Sequence, residues 1–442
     1  MANPRGTALS VLLKIENEGA YSNLALNHAL REAKLSAVDS GFVSALVYGV
    51  LERKLLLDYI ISQYSKIPLR KIETTTKMIL RMGLLQLLFM DKVPESAAVN
   101  ESVNLAKKRK LQKSAGFING ILRSVTRAEQ KYRLPDRSDI SRYYSVLYSV
   151  PRELAELWIT SYGEANAVEL MKGLSGRPRI CARVNTLKTD ADSLIKRLSD
   201  EGVRAERLML ADALELSATG SIERLSSYRE GLFHIQDLSS QLCAAALDPK
   251  PRDLVLDVCA APGGKSFTAA QLMKNRGRIF SCDLYDHKLR LIEDGARRLG
   301  IGIITVQKRD AAKGKPLPEA DRILCDVPCG GLGILSRKPE IRYKEGLFDN
   351  KLPELQYEIL CKSASLLAVG GRLIYSTCTL NPKENNEVVS RFLEEHPDFA
   401  GAGLNLPQGI ERAVGEKDHE ITLMPHKAGC DGFYLAALTR RS

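Results

Sequence analysis

The chain has 442 residues, 44% hydrophobic and 26% charged, which are ordinary values for a globular protein. It exceeds the ~250–300 residues that one core usually supports, so two or three domains are expected. No apolar run reaches ~18 residues and the first residues lack a signal-peptide pattern, pointing to a soluble, cytoplasmic protein with no membrane partner. Nine cysteines without a Cys-x-x-Cys pair support neither a disulfide framework nor a zinc knuckle. Reduced thiols and no metal are expected. The net charge of +11 is unevenly placed: residues 1–133 carry 21 Lys/Arg against 11 Asp/Glu, and the rest of the chain is nearly neutral. A basic region on a neutral body suits a polyanionic partner held by salt-sensitive phosphate contacts.

Residues 1–135 read as helix after helix. Ser22 is placed to N-cap a helix carrying Leu24, Leu26, Ala29 and Leu30. Apolar residues then recur near helical spacing through Phe42–Leu51, Ile60–Tyr64 and Ile79–Leu88. Pro94 breaks the chain ahead of Ala97–Lys110, and Phe117–Val125 forms a last amphipathic stretch. Lys66, Arg70, Lys71, Lys77, Arg81, Lys107, Lys108, Arg109 and Lys110 are expected to decorate this bundle. No heptad or long repeat persists, which favours a compact bundle over a coiled coil or solenoid.

Pro135–Ser138 reads as a linker. A short helical segment follows through Leu154, Leu157 and Trp158. Strand and helix signals then alternate over Ile180–Leu187, Ala191–Leu198, Arg207–Leu216 and Leu232–Ile235, which makes a small α+β module. From Gln236 onward the strands are nearly continuous in apolar residues: Leu254–Asp257, Arg278–Asp283, Ile303–Val306, Arg322–Asp326 and Arg372–Ser376. Such strands are buried on both faces, so this region is α/β with an open, mostly parallel sheet. Gly432–Ala437 is expected as a last, edge strand.

The segment Asp257-Val-Cys259-Ala260-Ala261-Pro262-Gly263-Gly264-Lys265-Ser266 follows a strand and opens a helix. Its glycines let backbone approach a ligand at the carboxyl end of a sheet strand. Asp283 ends the next strand nineteen residues after Gly264, where an acidic side chain can grip ribose hydroxyls. Asp310, after the third strand, can accept from an adenine amino group. A phosphate-loop NTPase would need a first glycine that is missing here, and a dinucleotide site prefers Gly-x-Gly-x-x-Gly.

Asp326-Val-Pro-Cys329-Gly-Gly-Leu-Gly333 ends the fourth strand and Ser376-Thr-Cys378-Thr379 the fifth, so both cysteines should border one crevice. Amino-group methyltransferases carry an apolar-aromatic loop such as Pro-Pro-Tyr in the first place and need no thiol. Cys181, Cys243, Cys325 and Cys361 are read as inert core. Cys329 and Cys378, in polar strand-end turns, are read as reactive. Two thiols beside a cofactor loop fit one chemistry well. Cytosine C5 is too weak a nucleophile to take a methyl group until a thiolate adds at C6. A second group can then help release the product, and on chemistry alone either cysteine can be the nucleophile.

These three stretches resemble the signature motifs of the RNA (cytosine-5)-methyltransferase superfamily. Leu46-Val-Tyr-Gly-Val50, Ile79-Leu-Arg-Met-Gly83 and Phe117-Ile-Asn-Gly-Ile-Leu-Arg123 resemble the RNA-binding fold of antitermination factor NusB. With Arg183-Val-Asn-Thr-Leu187 and Gln236-Asp-Leu-Ser-Ser-Gln241, the whole is similar to the Sun-type bacterial small-subunit rRNA methyltransferases. The resemblance implies a NusB-like all-α RNA-binding domain over 1–135, a linker helix with an RNA-guiding α+β module over 136–235, and a Rossmann-like methyltransferase domain over 236–442. It implies that Cys259, Ala260, Ala261, Pro262, Gly263, Gly264, Lys265, Asp283, Asp310 and Asp326 contact S-adenosylmethionine. Cys378 would then be the nucleophile, Cys329 would aid release, and Asp326 would position the base. The implied partner is 16S rRNA with its target cytosine flipped from the stack. The same chemistry on tRNA, and a non-catalytic RNA chaperone or assembly factor, are the alternatives. Gly330, Gly331 and Leu332 stand where the family usually has a Ser or Thr.

Overall fold

A computed structural model describes residues 3–176, 178–314, 317–344, 346–349, 351–413 and 415–442. The chain divides into two units, one of residues 1–176 with 335–347, the other of 177–334 with 348–442.

The first unit is helical: α1 (Pro4–Glu18), α2 (Ser22–Ala33), α3 (Ala37–Glu52), α4 (Lys54–Tyr64), α5 (Thr74–Phe89), α6 (Glu95–Lys108), α7 (Gln112–Arg127), α8 (Ile140–Tyr148) and α9 (Arg152–Lys172). Helices α1–α7 lay apolar residues on a common core. On α7 the stripe is Ala115, Ile118, Ile121, Leu122 and Val125, which shares one core with Leu9, Leu12, Leu46, Leu57 and Ile79. Burying each large aliphatic side chain contributes roughly 1.5–3 kcal/mol. Asn3 caps α1 by accepting from the Arg5 and Gly6 amides, with Pro4 in the first turn where a missing N–H costs nothing.

Two sequence expectations fail in this unit. Ser22 is not a cap: Tyr21 occupies that position without a side-chain cap bond, and the Ser22 N–H donates instead to Glu340 Oε1 at 3.0 Å. An acidic side chain from residues 335–347 thus satisfies the start of α2, where the helix dipole favours negative charge. Arg81 is not on the surface either. It is 2% exposed and its fork donates to both oxygens of Asp58, at 2.7 Å each. The reason is that α5 is buried almost all round, from Met78 to Gln86, so its cation needs an internal partner.

The second unit starts with the small module: β1 (Ile180–Val184), α10 (Ala191–Asp200), β2 (Arg204–Arg207), β3 (Ala213–Ser217), α11 (Ser226–Arg229) and β4 (Phe233–Ile235). Its sheet is antiparallel in the order β2-β3-β1-β4. Buried Asn185 ties it to the rest of the unit, donating to the carbonyls of Gly231 and Leu299 at 2.8 Å each. The larger part follows as α12 (Leu238–Ala246), β5 (Leu254–Asp257), α13 (Gly264–Leu272), β6 (Arg278–Asp283), α14 (Asp286–Leu299), β7 (Ile304–Lys308), β8 (Ala320–Asp326), α15 (Lys351–Ala364), β9 (Leu367–Thr377), α16 (Asn386–Glu395), β10 (Phe399–Gly401), β11 (Glu420–Leu423) and β12 (Phe433–Arg440).

The main sheet runs β10-β12-β9-β8-β5-β6-β7, with β11 also pairing β12. Strands β7, β6, β5, β8 and β9 are parallel. The chain starts at β5, builds outward to β7, then returns to lay β8 on the other flank of β5. That reversal opens a crevice at the carboxyl ends of the strands, where α/β proteins bind ligands. The segment expected as an edge strand is interior. β12 runs antiparallel between β9 and the short strands β10 and β11. Strands of three and four residues are too short for periodicity to reveal, so its outer neighbours were invisible in the sequence. Among the described residues, no helix is long and apolar enough to cross a membrane.

Candidate active site

At the end of β5 the ladder is carried into the loop. Val258 N–H donates to Leu324 O at 3.1 Å, and Ala260 N–H to Cys282 O at 2.7 Å. Gly263, with φ +108°, turns the chain into α13; a Cβ there would lie 2.5 Å from the ring tip of Phe267. Asp257 stands beneath the loop at 1% exposure. Its Oδ2 accepts from Ser266 Oγ at 2.7 Å, while its Oδ1 is buried without a partner. Burial pushes this carboxyl up to about 7, and the Ser266 bond only partly offsets it.

Asp283 ends β6, nearly buried, with Oδ1 accepting from the Tyr285 N–H at 3.2 Å and the Lys288 ammonium 3.7 Å away as an ion pair. Asp310, just beyond β7, is half-buried and turns on itself, Oδ1 accepting from the amides of Ala312 (2.9 Å) and Lys313 (3.2 Å). Both carboxylates thus stand at the carboxyl edge of the sheet, each committing one oxygen to its own turn.

Because β8 and β9 are adjacent and parallel, with Asp326 in register with Ser376, the turns that follow them leave the sheet side by side. The Cys329 and Cys378 sulfurs come within 3.4 Å. The bond to Cys378 and burial together push the Cys329 thiol well above its usual range. Asp326 is held from both sides: Lys265 Nζ lies 2.7 Å from Oδ2, and Ser376 Oγ donates to Oδ1 at 2.7 Å. Lys265 is desolvated, which works against its charge, but Asp326 outweighs this and holds it above the ordinary lysine range. The Phe433 ring stands 5.3 Å from the same ammonium. The sequence-predicted residues Lys265, Asp326, Cys329 and Cys378 are therefore linked through strands β8 and β9 and helix α13.

Of the cysteines read as core, Cys181, Cys243 and Cys325 are buried. Burial raises Cys243 and Cys325 to about 12 each, so they are inert at neutral pH. Cys361 differs. It is half-buried, on the outer side of α15 beside Tyr357, because the helix covers the sheet with its other face.

Several polar residues that sequence reading passed over complete the surroundings. Glu384 is 1% exposed, and its Oε2 accepts from the Gly330 N–H (2.8 Å) and Gln356 Nε2 (2.9 Å). Its Oε1 accepts from Asn381 Nδ2 at 3.0 Å. Next in the chain, Asn385 accepts from Thr377 Oγ1 at 2.6 Å and donates to Thr379 O at 3.0 Å. The signal was a run of amide and acid side chains, Asn381-Pro-Lys-Glu-Asn-Asn386, directly after the Cys378 turn.

The description "16S rRNA methyltransferase RsmB/F" matches residues 244–439, the NusB family matches 2–127, and an RsmF/B-like ferredoxin-like domain matches 150–223. The chain is 38% identical to the probable ribosomal RNA small subunit methyltransferase B of Bacillus subtilis (strain 168), over 99% of this chain and 98% of that one. The chain belongs to the RsmB/F family of 16S rRNA methyltransferases. The corresponding Synechocystis protein (strain ATCC 27184 / PCC 6803 / Kazusa) is 35% identical over the full length of both chains. The crystal structure of PH0851 superposes with a TM-score of 0.84 at 25% identity, covering 100% of this chain and 99% of that one. That of NSun6 from Pyrococcus horikoshii with SFG gives 0.61 at 25% identity, over 67% of this chain and all of the other. RsmB/F enzymes are S-adenosylmethionine-dependent methyltransferases, the cofactor expected of the glycine loop. The all-α, ferredoxin-like and α/β parts follow the expected order.

Proposed function

We propose that the chain methylates C5 of one cytosine in small-subunit (16S) rRNA through a transient bond between Cys378 and C6 of the base. The observation that carries this reading is the pair of thiols 3.4 Å apart, next to a carboxylate held by a lysine and a serine. A binder without chemistry has no use for that arrangement.

The donor set suits S-adenosylmethionine. The Cys259–Lys265 backbone and the head of α13 would hold its amino-acid end, Asp283 its ribose hydroxyls and Asp310 its adenine amino group, with Asp326 at the methyl side. Asp283 and Asp310 each keep acceptor capacity for hydroxyl or amino donors, since one oxygen of each serves its turn. When bound, the cofactor supplies a methyl group on a sulfonium centre.

The chain's own residues do the rest. The cytosine leaves its stack to expose C6. Asp326 accepts from the amino edge of the ring and fixes it, its own place set by Lys265 and Ser376. Cys378, as thiolate, forms a carbon–sulfur bond at C6, and the displaced π electrons make C5 nucleophilic. After C5 is methylated, a water takes its proton, which restores the C5–C6 double bond and expels Cys378 as thiolate. Cys329, kept protonated by its surroundings, assists by donating a hydrogen bond to the leaving sulfur. The basic helical region captures the rRNA, and the small module guides it to the crevice.

Transfer of tritium from labelled S-adenosylmethionine to naked small-subunit rRNA, with bisulfite mapping of the product, tests the reading. One cytosine protected from bisulfite conversion is expected. Label on an amino group or a ribose, or no transfer, contradicts it.

A further inference from the structure

The two thiols sit on separate turns that meet directly, the Gly333 N–H donating to Cys378 O at 2.9 Å and the Leu332 N–H to Thr379 Oγ1 at 3.2 Å. The next stretch of chain braces both turns from behind. Glu384, buried at 1% exposure, reaches the Cys329 side by taking the N–H of Gly330, while Gln356 binds both the same carboxylate oxygen and the Pro328 carbonyl at 2.9 Å each. Cys329 is thus bracketed by Pro328 and Gly330, both tied to the Glu384–Gln356 pair. Asn385 brackets Cys378 in the same way, through Thr377 Oγ1 at 2.6 Å and Thr379 O at 3.0 Å. The two clamping residues are neighbours in sequence, and Tyr375, one turn back on β9, donates to the Glu384 carbonyl at 2.6 Å. The clamp is therefore anchored to the strand that delivers Cys378.

We infer that Glu384 and Asn385 are positioning residues that set the separation of the two thiols, Glu384 for product release by Cys329 and Asn385 for attack by Cys378. This rests on the cysteine roles proposed above. Two further observations favour it. A buried carboxylate is costly, and this one is met by three N–H donors rather than by a cation, an arrangement aimed at a loop. The absence of a side chain at residue 330 also matters: a Cβ there would lie 2.9 Å from Glu384 Oε1. With glycine here, the carboxylate takes the space a side chain would fill.

The experiment uses the full chain, S-adenosylmethionine and an rRNA fragment containing the target. Turnover is measured, and covalent protein–RNA adduct is scored on a denaturing gel. Glu384→Gln keeps the volume but sets an amide N–H2 against bound donors; Gly330→Ala presses the same contact from the other side. Both are expected to lower kcat about 10- to 100-fold with KM for RNA unchanged, and to raise the adduct fraction, because release is the impaired step. Asn385→Ala is expected to lower kcat while lowering the adduct fraction. Glu384→Asp, a carboxylate one methylene shorter, should recover part of the rate. Wild-type kcat and adduct in folded Glu384→Gln and Gly330→Ala overturn the clamp. So does failure of all these variants to fold, since the residues would then be scaffold. Cys329→Ala run alongside separates the two claims: if it fails to accumulate adduct, the cysteine roles are wrong, whatever Glu384 does.

Discussion

Arg81–Asp58 in the helical unit and Lys265–Asp326 in the α/β unit are both short ion pairs in largely dry surroundings, yet they are built differently. The first is a rigid fork, two parallel 2.7 Å bonds with the arginine 2% exposed. The second joins one lysine to one carboxylate oxygen, leaves the other to Ser376, and keeps Asp326 partly exposed. A bidentate arginine spends its geometry on holding helices together. A lysine is a point charge that sets a carboxylate's place and leaves it acceptor capacity for a substrate. Architecture and chemistry thus use the same charges with opposite degrees of closure.

Four experiments sharpen or break that contrast. Cys378→Ala should cost the most, at least about a thousandfold in methyl transfer, with the fold intact by circular dichroism. Arg81→Ala should instead act on stability, lowering resistance to urea by about 3 kcal/mol because Asp58, mostly shielded from solvent, loses its partner. If Arg81→Ala melts like wild type, the fork is not structural. Replacing Lys107, Lys108 and Lys110 by alanine should weaken RNA binding and flatten its log–log salt dependence by about 2–3, one phosphate contact each. An unchanged slope places the RNA elsewhere.

The last experiment concerns pH. Asp257 is raised from 3.8 to about 7 in the fold, so the unfolded chain releases this proton first. Its contribution is fully present below pH 3.8 and is lost as pH rises to about 7. Buried His234, pushed down to about 3, works the other way, losing stability as pH falls below 6.5. The comparison is therefore of Asp257→Asn with wild type: the mutant should gain relative stability as pH rises from 4 to 7. A parallel pair of stability–pH curves contradicts the buried, protonated carboxyl.

Much of this was legible beforehand because β-strands buried on both faces and glycine-rich turns leave plain marks. The strands at 254–257, 278–283 and 320–326 and the two cysteine turns lay where apolar runs meet Gly, Pro and Thr. Side-chain partnership left no such mark. Arg81 looks like any surface arginine until α5 is seen to be enclosed, and Ser22 has the right type for a cap that Glu340 supplies from far along the chain. Glu384 and Asn385 were missed for the same reason: polar residues after a Pro read as loop, and only tertiary structure shows what they hold.

The most direct test of the chemistry is to trap the bond itself. Purified Cys329→Ala and Cys378→Ala proteins are incubated with S-adenosylmethionine and substrate rRNA and run on denaturing gels. A slow-migrating, nuclease-sensitive band is predicted for Cys329→Ala and none for Cys378→Ala. The reverse pattern exchanges the roles of the cysteines, and no band with either protein contradicts covalent catalysis.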